Sequence, residues 1–208
     1  MARSCVPAGL VNMVWQLYLD YGDAFEKKYG HRNWASREDR EKAAKNGKVA
    51  PNTPPLEKSW RAAIAGDEHA AKEEIWGVGG SGATMKKAGD ELEKYLDFID
   101  PNHILPRFKL EDFSASDIDQ VEIGPIMYGV KLNAGYYRGS GAGARPTQNV
   151  WHAAVLMRKG GNDFGDEYYV HADSLHVWYG TNDSTTEYWG NNDAYKIQAL
   201  VPYEATGD

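Results

Sequence analysis

The sequence is poor in cysteine, in long apolar runs and in targeting signals. Cys5 is the only cysteine among 208 residues, so an internal disulfide is excluded and stability must come from a hydrophobic core. No apolar run is long enough to cross a bilayer, and the first residues lack the charged-then-apolar pattern of a Sec signal peptide. We expect a protein made in the cytoplasm, without membrane insertion, that needs a specialised secretion system if it acts elsewhere.

Basic charge is also scarce. The chain has 23 Lys and Arg residues against 30 Asp and Glu residues, which gives a net charge of −7, and its pI is near 5.4. No block of Lys or Arg stands out. Nucleic acids and anionic membrane surfaces attract basic proteins, so neither is expected as a partner.

The length suits one domain that spans residues 1–208, and the chain changes character near residue 118. Helical spacing of Leu10, Val14 and Leu17 marks the first helix. We predict a helical part over residues 1–117, with helices at 4–21, 36–46, 55–65, 67–75 and 83–98. We predict a β-sheet part over residues 118–208, with strands at 119–132, 149–158, 167–175 and 195–202. The expected fold class is α+β, with a helical N-terminal half packed on an antiparallel sheet.

Cys5 lies at the start of the first predicted helix. Ser4 can cap that helix, and Pro7 lies in its first turn, where the missing N–H does no harm. A helix N-terminus and a nearby imidazolium both lower the pKa of a thiol, and the thiolate is the nucleophile. Cys5 is therefore a candidate nucleophile. The alternative is that it packs as a small, buried apolar residue.

Two predicted strands carry the groups that would serve such a thiol. His152 lies on the first, and His171 and Asp173 lie on the second, after a hairpin-like segment rich in glycine. If the strands pair, His171 or Asp173 can accept a hydrogen bond from the His152 ring and set its tautomer. The order Cys, His, then His or Asp is that of a thiol hydrolase.

The strings His152-Ala-Ala-Val-Leu-Met and Tyr-Tyr-Val-His171-Ala-Asp173-Ser resemble the C-terminal half of papain-like cysteine peptidases. The similarity is greatest to the NlpC/P60 and CHAP branches, which hydrolyse peptidoglycan peptides, and it implies a papain-like fold with Cys5 facing His152. The NlpC/P60 pattern makes His171 the third catalytic residue, whereas the papain pattern points to Asp173. The residues printed before Cys5 include no glutamine, so we expect an oxyanion donor different from papain's, with Gln148 or Asn149 as candidates.

A small acidic hydrolase without a signal peptide also resembles the amidase effectors of bacterial type VI secretion. The resemblance implies an antibacterial toxin that acts on peptidoglycan in a target-cell periplasm, and an immunity protein that inhibits it. From the residues alone, a deamidase or an acyltransferase would use the same parts.

Two other classes of function stay open from the sequence. His152, His171 and Asp173 form a ligand set that suits Zn²⁺ or Fe²⁺, although a metal site leaves the position of Cys5 unexplained. Aromatic and Asn/Asp residues after residue 150 also suit a non-catalytic module that binds carbohydrate or peptide. The glycine-rich segment 77–82 follows a helix-like stretch instead of a strand, so no nucleotide cofactor is expected, and no cofactor or metal is assigned.

Overall fold

The chain forms an α+β fold of helices and one antiparallel sheet. The computed structural model describes residues 5–30, 34–64, 84–113, 115–132, 150–161, 164, 167–173, 176–180 and 197–204. The helices are α1 (Cys5–Tyr29), α2 (Arg37–Lys45), α3 (Pro55–Ile64), α4 (Met85–Ile99) and a 3-10 helix (Ala115–Glu122). The strands are β1 (Arg107–Phe113), β2 (Ile126–Leu132), β3 (Val150–Gly161), β4 (Glu167–Asp173), β5 (His176–Gly180) and β6 (Ile197–Tyr203).

The helices follow the sequence signals closely. Ser36 caps α2 by accepting from the Asp39 backbone N–H, and Gly47 ends it with a φ of 65°. Helix α1 is described from Cys5 and continues to Tyr29, well beyond the predicted end at residue 21. The predicted cap Ser4 and the predicted helix 67–75 lie outside the described residues. No described helix is both long and apolar enough to cross a bilayer.

Among the described residues, the strands lie in the order β1-β6-β2-β3-β4-β5, and every neighbouring pair is antiparallel. Strands β1 and β5 were not predicted, and β2 starts later than predicted. The predicted strand 119–132 begins as the 3-10 helix, and Pro125 separates that helix from β2. Strand β1 lies inside the predicted helical part and pairs with β6 at one edge of the sheet, so the sheet joins both parts of the chain.

The central strands of the sheet carry buried side chains on both faces. We call one the α1 face, because its side chains form a core with α1 and α4; they are Met127, Ala153, Val155, Met157, Val170, Ala172 and Leu200. We call the other the 3-10 face, because it packs with Ile118 and Val121; it carries Ile126, Tyr128, Ala154, Leu156, Tyr169, Ala199 and Val201. Adjacent strand residues therefore belong to different cores.

A buried carboxylate joins the ends of α1, α4 and β1. Asp100 is fully buried after α4, and Arg107 Nη1 lies 3.2 Å from its Oδ2. Asp100 also accepts from the backbone N–H of Ile104 and Leu105 and from the hydroxyl of Tyr29. These donors satisfy both carboxylate oxygens, which is the condition for burying a charge.

We predict that Asp100→Asn destabilises the fold by roughly 3–5 kcal/mol, because it removes the only buried counter-charge that the described residues place beside the Arg107 guanidinium and leaves the largely exposed Asp97. Urea unfolding followed by circular dichroism measures the loss. Asp97→Asn is the matched control, since Asp97 contacts the same guanidinium at 3.5 Å from a carboxylate that is 58% exposed. It should cost less than about 1 kcal/mol. Equal losses in the two variants would contradict this account.

Candidate functional site

Cys5 begins α1 and is partly buried against the core of the α1 face. The first turns of α1 pack tightly on the sheet at Gly9. A Cβ at that position would lie 2.9 Å from Met127 Cε and 3.4 Å from Val155 Cγ2. The thiol therefore lies at the N-terminus of a helix that packs closely against β2 and β3 on the α1 face.

Strands β3 and β4 form the antiparallel pair that the sequence analysis required. Val155 pairs with Ala172 and Leu156 with His171, and a β-bulge follows between Leu156 and Arg158. On the other side of β3, His152 pairs with Val130 of β2. The two strands that carry the predicted imidazole and its orienting residue are thus neighbours in the sheet.

His171 lies on the 3-10 face and is fully buried. Its Nδ1 is hydrogen-bonded to the hydroxyl of Tyr128 at 3.0 Å, and the two rings meet edge to face at 86°. Tyr128 is on β2 and reaches His171 across β3, where the residue paired with Tyr128 is the small Ala154. Burial lowers the pKa of His171 from 6.5 to about 3, so the imidazole is neutral over the physiological range.

The structure consequently separates His171 from Cys5. Cys5 packs with the α1 face, whereas His171 is enclosed on the 3-10 face beside Tyr128. Direct contact between His171 and Cys5 does not fit this arrangement, and the predicted role of His171 in orienting His152 stays a prediction. The physical reason is strand alternation: Ala172 faces α1, so its neighbour His171 faces away.

The side chains of His152 and Asp173 lie outside the described part of the structure, and only their backbone register is described. By its backbone register, position 152 lies on the same face of β3 as Ala154 and Leu156, and on the opposite face from Ala153. Position 173 lies on the same face of β4 as His171. The register thus groups positions 152, 171 and 173 with one another. The oxyanion candidates Gln148 and Asn149 also lie outside the described residues.

Counted along the chain, His176 has the opposite strand parity to Asp173, which argues against a shared site. The structure pairs Asp173 directly with His176 across β4 and β5, and paired residues share a face. The parity count failed because the chain reverses between the two strands. Treating β5 as a separate strand antiparallel to β4 corrects the count.

Within the described residues, no group of His, Cys, Asp and Glu side chains is arranged to hold a metal ion. The chain matches no protein-family model, and no curated protein or solved structure shows significant similarity to it.

We predict that the buried His171 makes the fold less stable in acid. The unfolded chain takes up a proton at its ordinary pKa of 6.5, whereas the folded chain does so only near pH 3. Between these values the unfolded state binds more protons, so this contribution is complete above pH 6.5 and is lost as the pH falls, by up to about 1.4 kcal/mol per pH unit.

Urea unfolding between pH 4 and pH 8 tests this linkage with two variants. His171→Gln should lower the number of protons taken up on unfolding by close to one, because the titrating group is removed. Tyr128→Phe keeps the imidazole buried, so it should lower stability at every pH and retain the wild-type slope. A His171→Gln profile parallel to the wild type would rule out His171 as the source.

Proposed function

We propose that the chain is a cysteine hydrolase of amide bonds, with Cys5 as the nucleophile. The observation that carries the proposal is the position of the only thiol, which is partly exposed at the first residue of a 25-residue helix. The N–H groups of a first helical turn have no acceptor within the helix. They supply positive potential to a thiolate and donors to an oxyanion, although Pro7 contributes none.

In this mechanism the Cys5 thiolate attacks the amide carbonyl carbon. The imidazolium of His152 transfers a proton to the leaving amine as the C–N bond breaks, and water then hydrolyses the thioester with His152 as the base. Asp173 orients His152, in preference to His171, because His171 is enclosed beside Tyr128. The proposed substrates are peptide amides of peptidoglycan, reached after export to a target-cell periplasm, with an immunity protein as the natural inhibitor.

The register sets a demanding condition on this mechanism. Helix α1 covers the face of Ala153, whereas position 152 belongs to the alternate set with Ala154. A productive site requires the His152 ring to reach Cys5 Sγ in spite of that alternation. The thiol itself can report whether it does.

Because Cys5 is the only cysteine, alkylation by iodoacetamide measures this thiol alone. The rate should follow a pH profile with a midpoint below the ordinary thiol value of about 8.5. His152→Ala should move the midpoint upward, because it removes the imidazolium that stabilises the thiolate. His171→Gln is the matched control and should leave the midpoint in place. An ordinary midpoint that does not respond to His152→Ala would contradict a Cys5–His152 pair.

Activity is tested by incubating purified peptidoglycan with the protein and separating the products by liquid chromatography with mass spectrometry. Cys5→Ala should reduce the rate by at least about a thousandfold. Asp173→Ala should lose more rate than His171→Ala, whose loss should follow stability. New amine termini identify hydrolysis, whereas released ammonia identifies deamidation. Full activity of Cys5→Ala would exclude the thiol mechanism.

A metal-dependent enzyme is the second candidate, and the backbone register favours it. Positions 152, 171 and 173 fall in one alternating set across β3 and β4, which is what a shared ligand set of two histidines and a carboxylate requires. Its signature is activity that a chelator abolishes, that Zn²⁺ or Fe²⁺ restores, and that survives Cys5→Ala. Activity unaffected by the chelator would exclude this candidate.

A further inference from the structure

Three helices enclose a cavity at a distance from the thiol. It has a volume of about 870 Å³ and lies among α1, the segment from Trp34 to Glu41 that includes the start of α2, and α3. That volume is within the range of roughly 300–1,000 Å³ typical of small-ligand sites. Trp15 is the lining residue of α1 nearest to Cys5 in sequence. At 1.5 Å per residue, the Cα atom of Trp15 lies roughly 15 Å along the helix axis from the Cα atom of Cys5.

Aromatic rings form part of the cavity wall. Trp15 and Tyr18 are stacked, with ring centroids 5.7 Å apart, and Trp34 lines the same cavity. The indole N–H of Trp34 donates to the carbonyl oxygen of Gly30 at 2.9 Å. Since that N–H is already used, the ring offers its faces and edges for apolar contact.

The charged groups of the cavity cancel. Four basic residues line it, namely Lys27, Arg37, Arg40 and Arg61, and four acidic residues line it, namely Asp23, Glu26, Glu41 and Glu57. With no net charge among these groups, the lining gives no strong attraction for an ion of either sign. It nevertheless presents planar N–H donors and carboxylate acceptors side by side.

A buried ion cluster holds the floor of the cavity in place. Glu57 is 1% exposed, and its carboxylate contacts Arg61 and lies 3.0 Å from Arg40 Nε. Arg40 Nη2 donates to the Tyr18 hydroxyl at 3.4 Å. Burial, and then the hydrogen bond with Glu57, raise the pKa of Tyr18, so its hydroxyl stays neutral. The three helices are thereby fixed to one another around a preformed site.

We propose that this three-helix cavity binds a short, uncharged glycan chain. Aromatic faces pack against the apolar C–H faces of sugar rings, and planar guanidinium and carboxylate groups match neighbouring hydroxyl groups as donor and acceptor. The cancelling charges disfavour a strongly anionic or cationic ligand, and the wealth of polar side chains disfavours a purely apolar one. The proposal concerns binding alone and does not rest on the hydrolase activity proposed above.

Isothermal titration calorimetry with the full chain tests the proposal. The probes are the tetramer of N-acetylglucosamine, cellotetraose and, as a peptide control, tetra-alanine. We expect saturable binding of at least one sugar and weaker binding of the peptide. Cys5→Ala should bind the sugar with wild-type affinity, so loss of catalysis and loss of glycan binding are distinguishable.

Variants then assign the binding to the cavity. Trp34→Ala should weaken sugar binding by about tenfold or more, because a stacking surface is lost. Arg37→Ala removes a side chain that is 85% exposed, so it does not threaten the fold and should weaken binding about threefold or more. Phe98→Ala is the matched control, because Phe98 is 85% exposed on α4 and does not line the cavity.

Three results would overturn the proposal. One is the absence of saturable sugar binding up to about 10 mM. Another is binding that Arg37→Ala and a folded Trp34→Ala leave unchanged. The third is tighter binding of tetra-alanine than of either sugar, which would assign the cavity to peptides.

Discussion

Burial of both faces of the central strands is the constraint on which the rest of the structure depends. Because successive strand residues point to opposite faces, the apolar run from Ala153 to Met157 is divided between two cores. Helices α1 and α4 cover one face and the 3-10 helix covers the other. The face on which a strand residue lies therefore decides which other side chains it can contact. Cys5 belongs with the α1 face, and His171 belongs with Tyr128 on the 3-10 face.

The fold handles its buried polar groups in two ways. The carboxylates of Asp100 and Glu57 are paired with arginine side chains, and Asp100 also accepts from two backbone N–H groups. His171 instead gives up its charge, since burial favours the neutral imidazole. The charged clusters join helices and strand ends to one another. The neutral pair of Tyr128 and His171 lies within the sheet, where an unpaired charge would be most costly.

Local signals explain which elements the sequence analysis located. Strand β3 carries a long apolar run, and α4 carries Leu92, Leu96 and Ile99 at helical spacing, so both were found close to their observed bounds. Strand β1 was missed because Lys109, Glu111 and Asp112 interrupt its apolar pattern. As an edge strand with exposed positions it buries little, and its identity comes from pairing with β6. The cavity was missed because its walls come from three separate segments.

The sequence by itself determined the α+β class, the antiparallel neighbourhood of β3 and β4, and the single thiol at the start of a helix. The acidic composition also disfavoured nucleic acids and anionic membrane surfaces as partners, because net charge depends on composition and not on packing. Only the tertiary structure decided which face of the sheet α1 covers, and so which predicted residues can meet. Alternation along a strand is a local property of the backbone. The choice of face is not, because it is made by contacts between segments far apart in the chain, such as the close approach of Gly9 to Met127 and Val155.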